Sequence, residues 1–321
     1  MRAVRSPPDS TAGDLAHRCT MDIGRFWGKA RPLHLDRGPQ WHPLAYHSLD
    51  VAAVGDALLR SHPGLGESFA RLLRLPLEDA ASLICYLLCL HDIGKFAKKF
   101  QAKTPTLYPE CFGDDPARLA TRFDHGAGGL RLFDADPDRF HLPDGARPRV
   151  WPPLIAAVTG HHGAPPEPRT NESLQSLRSD FGRAGIAAAH AFVEQAHALL
   201  PPPQEVRELE PRRAKPASFA LAGLAVLADW VGSNQDWFPY CEPVQDLEAY
   251  WRTARDRASH AVMEAGVVPT AVSPHLDYRD LLSADVVPSP MQLWARDVAL
   301  PAGPALFLSR TRPAAARRKR R

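Results

Sequence analysis

Residues 77–101 read LEDAASLICYLLCLHDIGKFAKKFQ, and the first fourteen of them form the most apolar helical run in the chain. An imidazole and a carboxylate, His91 and Asp92, follow directly on Leu87, Leu88 and Leu90. At the edge of a core such groups are costly to bury unless they are paired or bind a metal. The run is predicted to continue as helix through HDIGKFAKKFQ. Working outward, apolar residues recur at helical spacing over 44–62, where Leu44, Leu49, Val51, Ala52, Leu58 and Leu59 share a face. Further helices are predicted over 125–133, 153–159, 173–181, 185–200, 218–232 and 244–265. The proline-rich stretch 201–216 is predicted to be a loop. No series of alternating strand patterns occurs, so the fold class is all-α over 21–265.

Composition narrows the function classes. The 321 residues are 45% hydrophobic and 23% charged, the profile of an ordinary folded protein and not of a disordered one. The longest apolar stretch, 219–228, falls short of the ~20 residues that a bilayer requires, so no membrane partner is expected. Five cysteines (Cys19, Cys85, Cys89, Cys111 and Cys241) make an odd set with no CxxC pair, which predicts free thiols and a cytoplasmic location. Seven of the 39 basic residues lie within 310–321 beside no acid, leaving 32 bases against 36 acids and a net charge of −4. Bulk electrostatics therefore gives no reason for the folded part to bind nucleic acid.

Residues 1–20 are polar, broken by proline and without periodicity, so they are expected to form a flexible extension, with Met21 a candidate start. After 265 the texture changes. Residues 266–308 read as a linker, a short helix and the beginning of a buried strand at 305–308, and 309–321 as a basic tail.

Several histidines and acids occur where a helix is otherwise committed to core packing. His47 stands one turn before Asp50, His125 lies in FDHGAGGL, His161 and His162 follow LIAAVTG, and Asp229 sits inside LAGLAVLADWVGSN. Singly, each has a plain reading as a hydrogen-bonded core histidine or a capping acid. The other histidines (His17, His34, His42, His62, His141, His190, His197, His260 and His275) are assigned to surface or capping positions. Lys95, close behind His91, is either a cation aimed at a phosphate oxygen or a solvated member of the KFAKKFQ run. Lys98 and Lys99 suggest a basic rim for a nucleic-acid strand, although amphipathic surface lysines are the commoner case.

The order His47, His91-Asp92, His125, His161-His162, Asp229 resembles the HD superfamily of metal-dependent phosphohydrolases. The resemblance implies an HD-domain helical bundle with one metal held by His47, His91, Asp92 and Asp229. A second metal would be held by His125, His161 and His162, with Asp92 bridging. Asp92 and Lys95 would be the catalytic residues. Imidazoles and carboxylates suit Mn, Fe, Co or Ni better than Mg or Ca. Two such divalent ions ~3.5–4 Å apart can activate a water and neutralise the leaving oxygen of a phosphodiester.

The flanking segments WHPLAYHSLDVAAV, CLHDIGKFAKKFQ, VTGHHGAPP and LADWVGSNQDWFPY, with FWGKA before them, resemble the HD nuclease domain of the CRISPR-associated nuclease–helicase of type I systems. The DWFPY ending resembles the subtype I-E branch. This likeness covers 21–308 and implies cleavage of single-stranded DNA opened by the Cascade surveillance complex. The cyclic-dinucleotide phosphodiesterase branch also carries HDIGK, but normally shows Gly-Tyr-Pro after the histidine pair, where GAPPEP stands here. An inactive remnant or docking module is the third class. PSPMQ at 288–292 resembles a helicase Q motif, and LPAGPALFL the first helicase strand. No GKT or GKS follows, so ATP binding is not expected. Read one base out of register, codons compatible with 309–321 yield EDATGGGKTEAA, which resembles the phosphate loop, so the tail is expected to derive from a frameshift.

Overall fold

The computed structural model describes residues 23–31, 38–119, 122–143, 149–167, 173–243, 246–269, 287–299 and 307. The chain divides into two units, Met1–Pro269 and Thr270–Arg321.

The first unit opens with a two-stranded antiparallel hairpin, β1 (Trp27–Ala30) on β2 (Trp41–Pro43). Strands of three and four residues are too short to leave an alternating signature, which is why the sequence pattern missed them. β2 runs directly into α1 (Leu44–Ser61), of whose eighteen residues fifteen are buried. A helix buried on nearly every face must lie inside the molecule. Around it pack α3 (Leu77–Cys89), α8 (Pro211–Gly232) and α9 (Leu247–Glu264).

Between them lie α2 (Pro63–Leu73), α4 (Lys98–Gln101), α5 (His125–Ala135), α6 (Trp151–Thr159) and α7 (Leu174–Leu199). The all-α expectation holds, with the hairpin as its one exception among the described residues.

The two helices predicted over 173–181 and 185–200 are present within α7 and meet at a kink at Gly182, whose φ of 69° lies in the left-handed region open to glycine. Three local expectations change. α3 does not continue through HDIGKFAKKFQ: it stops at Cys89, tightens into a 3-10 turn at Ile93–Phe96, and resumes as α4. The predicted loop 201–216 is mostly helical, because Pro211 occupies the first turn of α8, where its missing N–H costs nothing. α2 was not anticipated at all, and it begins on Pro63 by the same rule.

Among the described residues α8 is long and apolar enough to cross a membrane by length and composition. Its Ala214, Leu221, Leu224, Ala225 and Ala228 are nevertheless buried, and it packs on α1, α2 and α6, as a core helix does.

In the second unit, α10 (Pro290–Asp297) starts with a capping box: Ser289 Oγ accepts from the Gln292 backbone, and Gln292 Oε1 accepts from the Ser289 backbone. The amide of the Q-motif-like PSPMQ segment is therefore committed to holding a helix end. Of the strand expected at 305–308, only Phe307 is described, with its ring 6.1 Å from Trp294. The expected extension 1–20 and tail 309–321 lie outside the described residues.

His42 corrects the surface assignment, being 1% exposed. Its Nε2 lies 2.9 Å from Asp50 Oδ2, while the Tyr250 hydroxyl donates to Asp50 Oδ1 at 2.9 Å. Without such partners a buried carboxylate could not keep its charge. Burial alone disfavours a charged ring, but the bond to Asp50, helped by Cys241, outweighs it and raises the His42 pKa to about 9. Since this lies above the unfolded value, the stabilisation is complete below about pH 6.5 and lost as pH rises through about 9, with a ceiling of about 3 kcal/mol. Urea unfolding near pH 6 and pH 9.5 should show the wild-type chain losing stability across that window, and His42→Phe losing measurably less. Equal losses in the two proteins would remove the role given to His42. His17, His34 and His275 lie outside the described residues.

Candidate metal centre

The end of α3 sets the site. Leu90 and His91 donate their backbone N–H groups to Leu87 and Leu88, and Lys95 donates to Asp92, so the chain tightens just where the polar residues begin. His91 and Asp92 are fully buried, and Lys95 is 4% exposed.

The chain can turn so tightly here because of Gly94. A Cβ at that position would meet the His125 carbonyl oxygen at 1.8 Å and the Gly129 nitrogen at 2.7 Å. Glycine thus lets the first turn of α5 lie directly on the 3-10 turn. Gly126 does the same toward α6, where a Cβ would meet the Thr159 carbonyl at 2.4 Å.

The fold brings the seven predicted metal ligands together. Asp92 Oδ2 lies 3.3 Å from His47 Nε2 and 3.2 Å from His91 Nε2. Asp92 Oδ1 faces the other way, 3.2 Å from His125 Nε2 and 3.6 Å from His161 Nε2. From α8, Asp229 Oδ1 lies 3.2 Å from His47 Nε2 and 3.8 Å from His91 Nε2, and its Oδ2 is 4.0 Å from His161 Nε2. His162 is exposed, with its Nε2 3.1 Å from that of His125.

Lys95 is neither solvated nor on a surface run. Its Nζ sits 2.6 Å from Asp92 Oδ2 and donates to the Gly28 carbonyl at 3.1 Å. Lys98 and Lys99 do not form an open basic rim, because they are paired with Asp114 at 2.7 Å and Asp180 at 2.6 Å.

Sequence reasoning missed Lys29 on β1, whose Nζ is 3.3 Å from Asp229 Oδ1, and Ser233, whose hydroxyl donates to the same oxygen at 2.9 Å. Ser233 lies one turn beyond Asp229, a spacing that could have exposed it. Nothing local could have linked Lys29 to a residue two hundred positions away.

The electrostatics favours neutral rings beside charged acids. Burial lowers the His47 pKa, assisted by Lys29, and lowers that of His161 to about 3. Burial, with His125 nearby, lowers His162 as well. For Asp92, burial favours the neutral acid, but Lys95 and His91, with His125 and His47 close by, outweigh it and hold the pKa well below the carboxylate range. Asp229 is held low in the same way, against its burial, by His47 and Lys29.

His91 and His161 point their Nδ1 atoms at the carbonyls three residues back, at 2.9 Å on Leu88 and 2.8 Å on Val158. That bond fixes the tautomer and leaves each Nε2 lone pair free to bind a metal. The Nε2 atoms of His47, His91 and His161 are buried and make no hydrogen bond, and neither oxygen of Asp92 has a well-oriented donor. Orphaned lone pairs converging in this way are costly in a protein interior but natural around a cation. Among the described residues, three sets of potential ligand atoms fall within 4.8 Å of one another: His47, His91 and Asp92; His91, His161 and Asp229; and His125, His161 and His162. Chemically, the donor set fits divalent transition metals.

The family described as Cas3, HD domain, matches residues 27–238, a span that includes every one of these side chains. The chain belongs to the Cas3 HD domain family. It is 29% identical over 273 residues to the CRISPR-associated endonuclease/helicase Cas3 of Escherichia coli (strain K12), covering 77% of this chain and 30% of that protein. It is similar in structure to the Thermus thermophilus cas3 HD domain in the presence of Ni2+, at a TM-score of 0.52 and 26% identity over 78% of this chain and 94% of that one. A third likeness is to a chain of a CRISPR RNA-guided surveillance complex, pre-nicking, at a TM-score of 0.58 and 26% identity over 75% of this chain and 29% of that one. The chain spans less than a third of the length of the curated Cas3 relatives it matches.

Gly94 offers a test of the geometry away from the ligand atoms themselves. Gly94→Ala should push the first turn of α5, and His125 with it, off the 3-10 turn, and weaken Mn2+ or Ni2+ binding by about 10- to 100-fold. Calorimetric titration of metal into the purified variant, with circular dichroism to confirm retained helix, reads this directly. Unchanged metal affinity in a folded Gly94→Ala protein would show that the α5 contact does not position the site.

Proposed function

We propose that this chain is a metal-dependent nuclease that hydrolyses phosphodiester bonds of single-stranded DNA in type I CRISPR defence. The observation that carries the reading is the division of labour within one carboxylate. Asp92 Oδ2 faces His47 and His91 in the buried half of the site, and Oδ1 faces His125 and His161 toward the half that His162 opens to solvent. That arrangement supports two divalent ions, Fe, Mn, Co or Ni, bridged by Asp92. The inner would be held by His47, His91, Asp92 and Asp229, and the outer by His125, His161 and His162. When bound, such a pair supplies an activated water and charge neutralisation at the leaving oxygen.

The remaining work falls to the chain's own residues. The tautomers set by Leu88 and Val158 keep His91 and His161 aimed inward, and Ser233 and Lys29 orient Asp229. Lys95, anchored on Gly28 and Asp92, is the cation placed to meet a non-bridging phosphate oxygen. Exposure at His162 is where a strand can approach. Likeness to a chain of a surveillance complex and to an endonuclease/helicase supports Cascade as a partner. With no GKT or GKS in the chain, the proposed cutting is independent of ATP. The four described cysteines are free thiols, in keeping with a cytoplasmic location.

Circular single-stranded DNA incubated with the purified chain and Mn2+, Co2+ or Ni2+ tests the proposal. The wild-type protein should linearise and degrade the circle, and EDTA should stop it. His91→Ala and Asp92→Ala should abolish cutting, and Lys95→Ala should slow it about 10- to 100-fold with metal content retained. Wild-type rates in Asp92→Ala would refute the site. Turnover of cyclic dinucleotides with no cutting of DNA would move the chain to the phosphodiesterase branch. Neither metal nor cutting would make it a docking module.

A further inference from the structure

A second cluster of reactive side chains lies outside the metal centre. Cys241, on the segment that follows α8, is partly exposed, and its Sγ is 3.9 Å from Nδ1 of the buried His42. The opposite ring nitrogen, Nε2, is 2.9 Å from Asp50 Oδ2 and 3.3 Å from the Tyr250 hydroxyl. One imidazole therefore stands between a thiol that solvent can reach and a carboxylate that it cannot. Tyr240 stacks on the ring at 5.6 Å with an interplanar angle of 9°, and the Arg31 guanidinium lies 4.9 Å from the Tyr240 centroid. The stack fixes the plane in which Nδ1 meets the sulfur.

We propose that Cys241 is an activated thiol, a modification site for small soft electrophiles, in which His42, anchored by Asp50, is the cation beside the sulfur that favours its reaction. Asp50 is fully buried, and besides facing His42 it accepts a hydrogen bond from the neutral Tyr250 hydroxyl. The carboxylate therefore keeps the ring protonated, and the ring presents its second N–H to Cys241. A cation beside a partly exposed sulfur is the arrangement that turns a cysteine into a nucleophile near neutral pH. The titratable or charged groups facing His42 and its partners are Asp50, Cys241, Tyr46, Tyr240 and Tyr250, with Arg31 over Tyr240 and Arg257 acting on Tyr250. None of them is a residue of the metal centre.

The chemistry balances without a proton shuttle. With iodoacetamide, the sulfur's electron pair forms the S–C bond as C–I breaks and iodide departs. With hydrogen peroxide, S–O forms as O–O breaks, which leaves a sulfenic acid on the chain and releases hydroxide, neutralised by the acid form of the buffer. The other described cysteines provide the comparison within one molecule. Cys85 and Cys89 are buried, and burial pushes both thiols far up, so they should stay inert. Cys111 is partly exposed, like Cys241.

The test is site-resolved alkylation of the folded full chain by limiting iodoacetamide, read by peptide mass spectrometry, with Cys241→Ser confirming the peptide assignment. At neutral pH, Cys241 should react about tenfold faster than Cys111. His42→Gln should bring Cys241 down to the Cys111 rate. A Cys241 no faster than Cys111, or one indifferent to His42→Gln, overturns the proposal. Should His42→Gln fail to fold, the unmodified chain decides alone: a tenfold lead of Cys241 over Cys111 supports it, and no lead overturns it.

Discussion

A single carboxylate, that of Asp92, sets the terms for the helices around it. It is wholly buried, and an isolated anion cannot survive there, so charged and polar groups must reach it from every side. They come from Lys95 in its own turn, His47 on α1, His91 at the end of α3, His125 on α5 and His161 beyond α6. Four segments far apart in the chain must therefore approach one group within 4 Å. Helices carrying ordinary side chains pack with their axes 8–10 Å apart, and closer contact needs residues without a Cβ. Gly94 and Gly126 answer that need, since each sits against a backbone carbonyl where a methyl group could not fit.

Burial does two opposite things at this centre, and both are useful. It strips protons from His47, His161 and His162, leaving lone pairs available at neutral pH. It also works to protonate Asp92 and Asp229, but Lys95, Lys29 and the surrounding rings overcome it. A donor set of neutral imidazoles and ionised carboxylates is what a divalent transition metal requires, because ligands must shed their protons before they bind. The two lysines therefore keep the acids ready as well as balancing their charge.

What the sequence disclosed follows the range over which each interaction acts. Helix and ligand signals are local, so α1, α3, α6 and α9 and the order of His47, His91, Asp92, His125, His161, His162 and Asp229 could be read from spacing and company. Interactions across the fold left no such trace. Lys29 reaches Asp229 from a four-residue strand, and Lys99 finds its partner in Asp180 on α7. His42 has neither of its partners beside it in the sequence. Only the hairpin's turn into α1 sets it over Asp50, and only α9 supplies Tyr250. The misread stretch 201–216 has a different cause: proline begins a helix well, Pro211 stands where α8 begins, and the helix runs on through Pro216 to Gly232.

Charge bookkeeping at the centre also points to the class of substrate. Asp92 and Asp229 bring two carboxylates, and Lys95 and Lys29 place ammonium groups within 3.3 Å of them, so the charge of the acids is matched inside the protein. Divalent ions bound to such a site add positive charge that no remaining side chain in it cancels. The compensating anions must come from outside, as hydroxide and as substrate. A phosphodiester, the proposed substrate, would meet that demand at the half of the site that His162 opens to solvent, its charge drawn in before any base is recognised. The same arithmetic would let an acidic chain body act on a nucleic acid: the attraction would arise at one point, from what the site binds, and would need no basic surface to gather the strand.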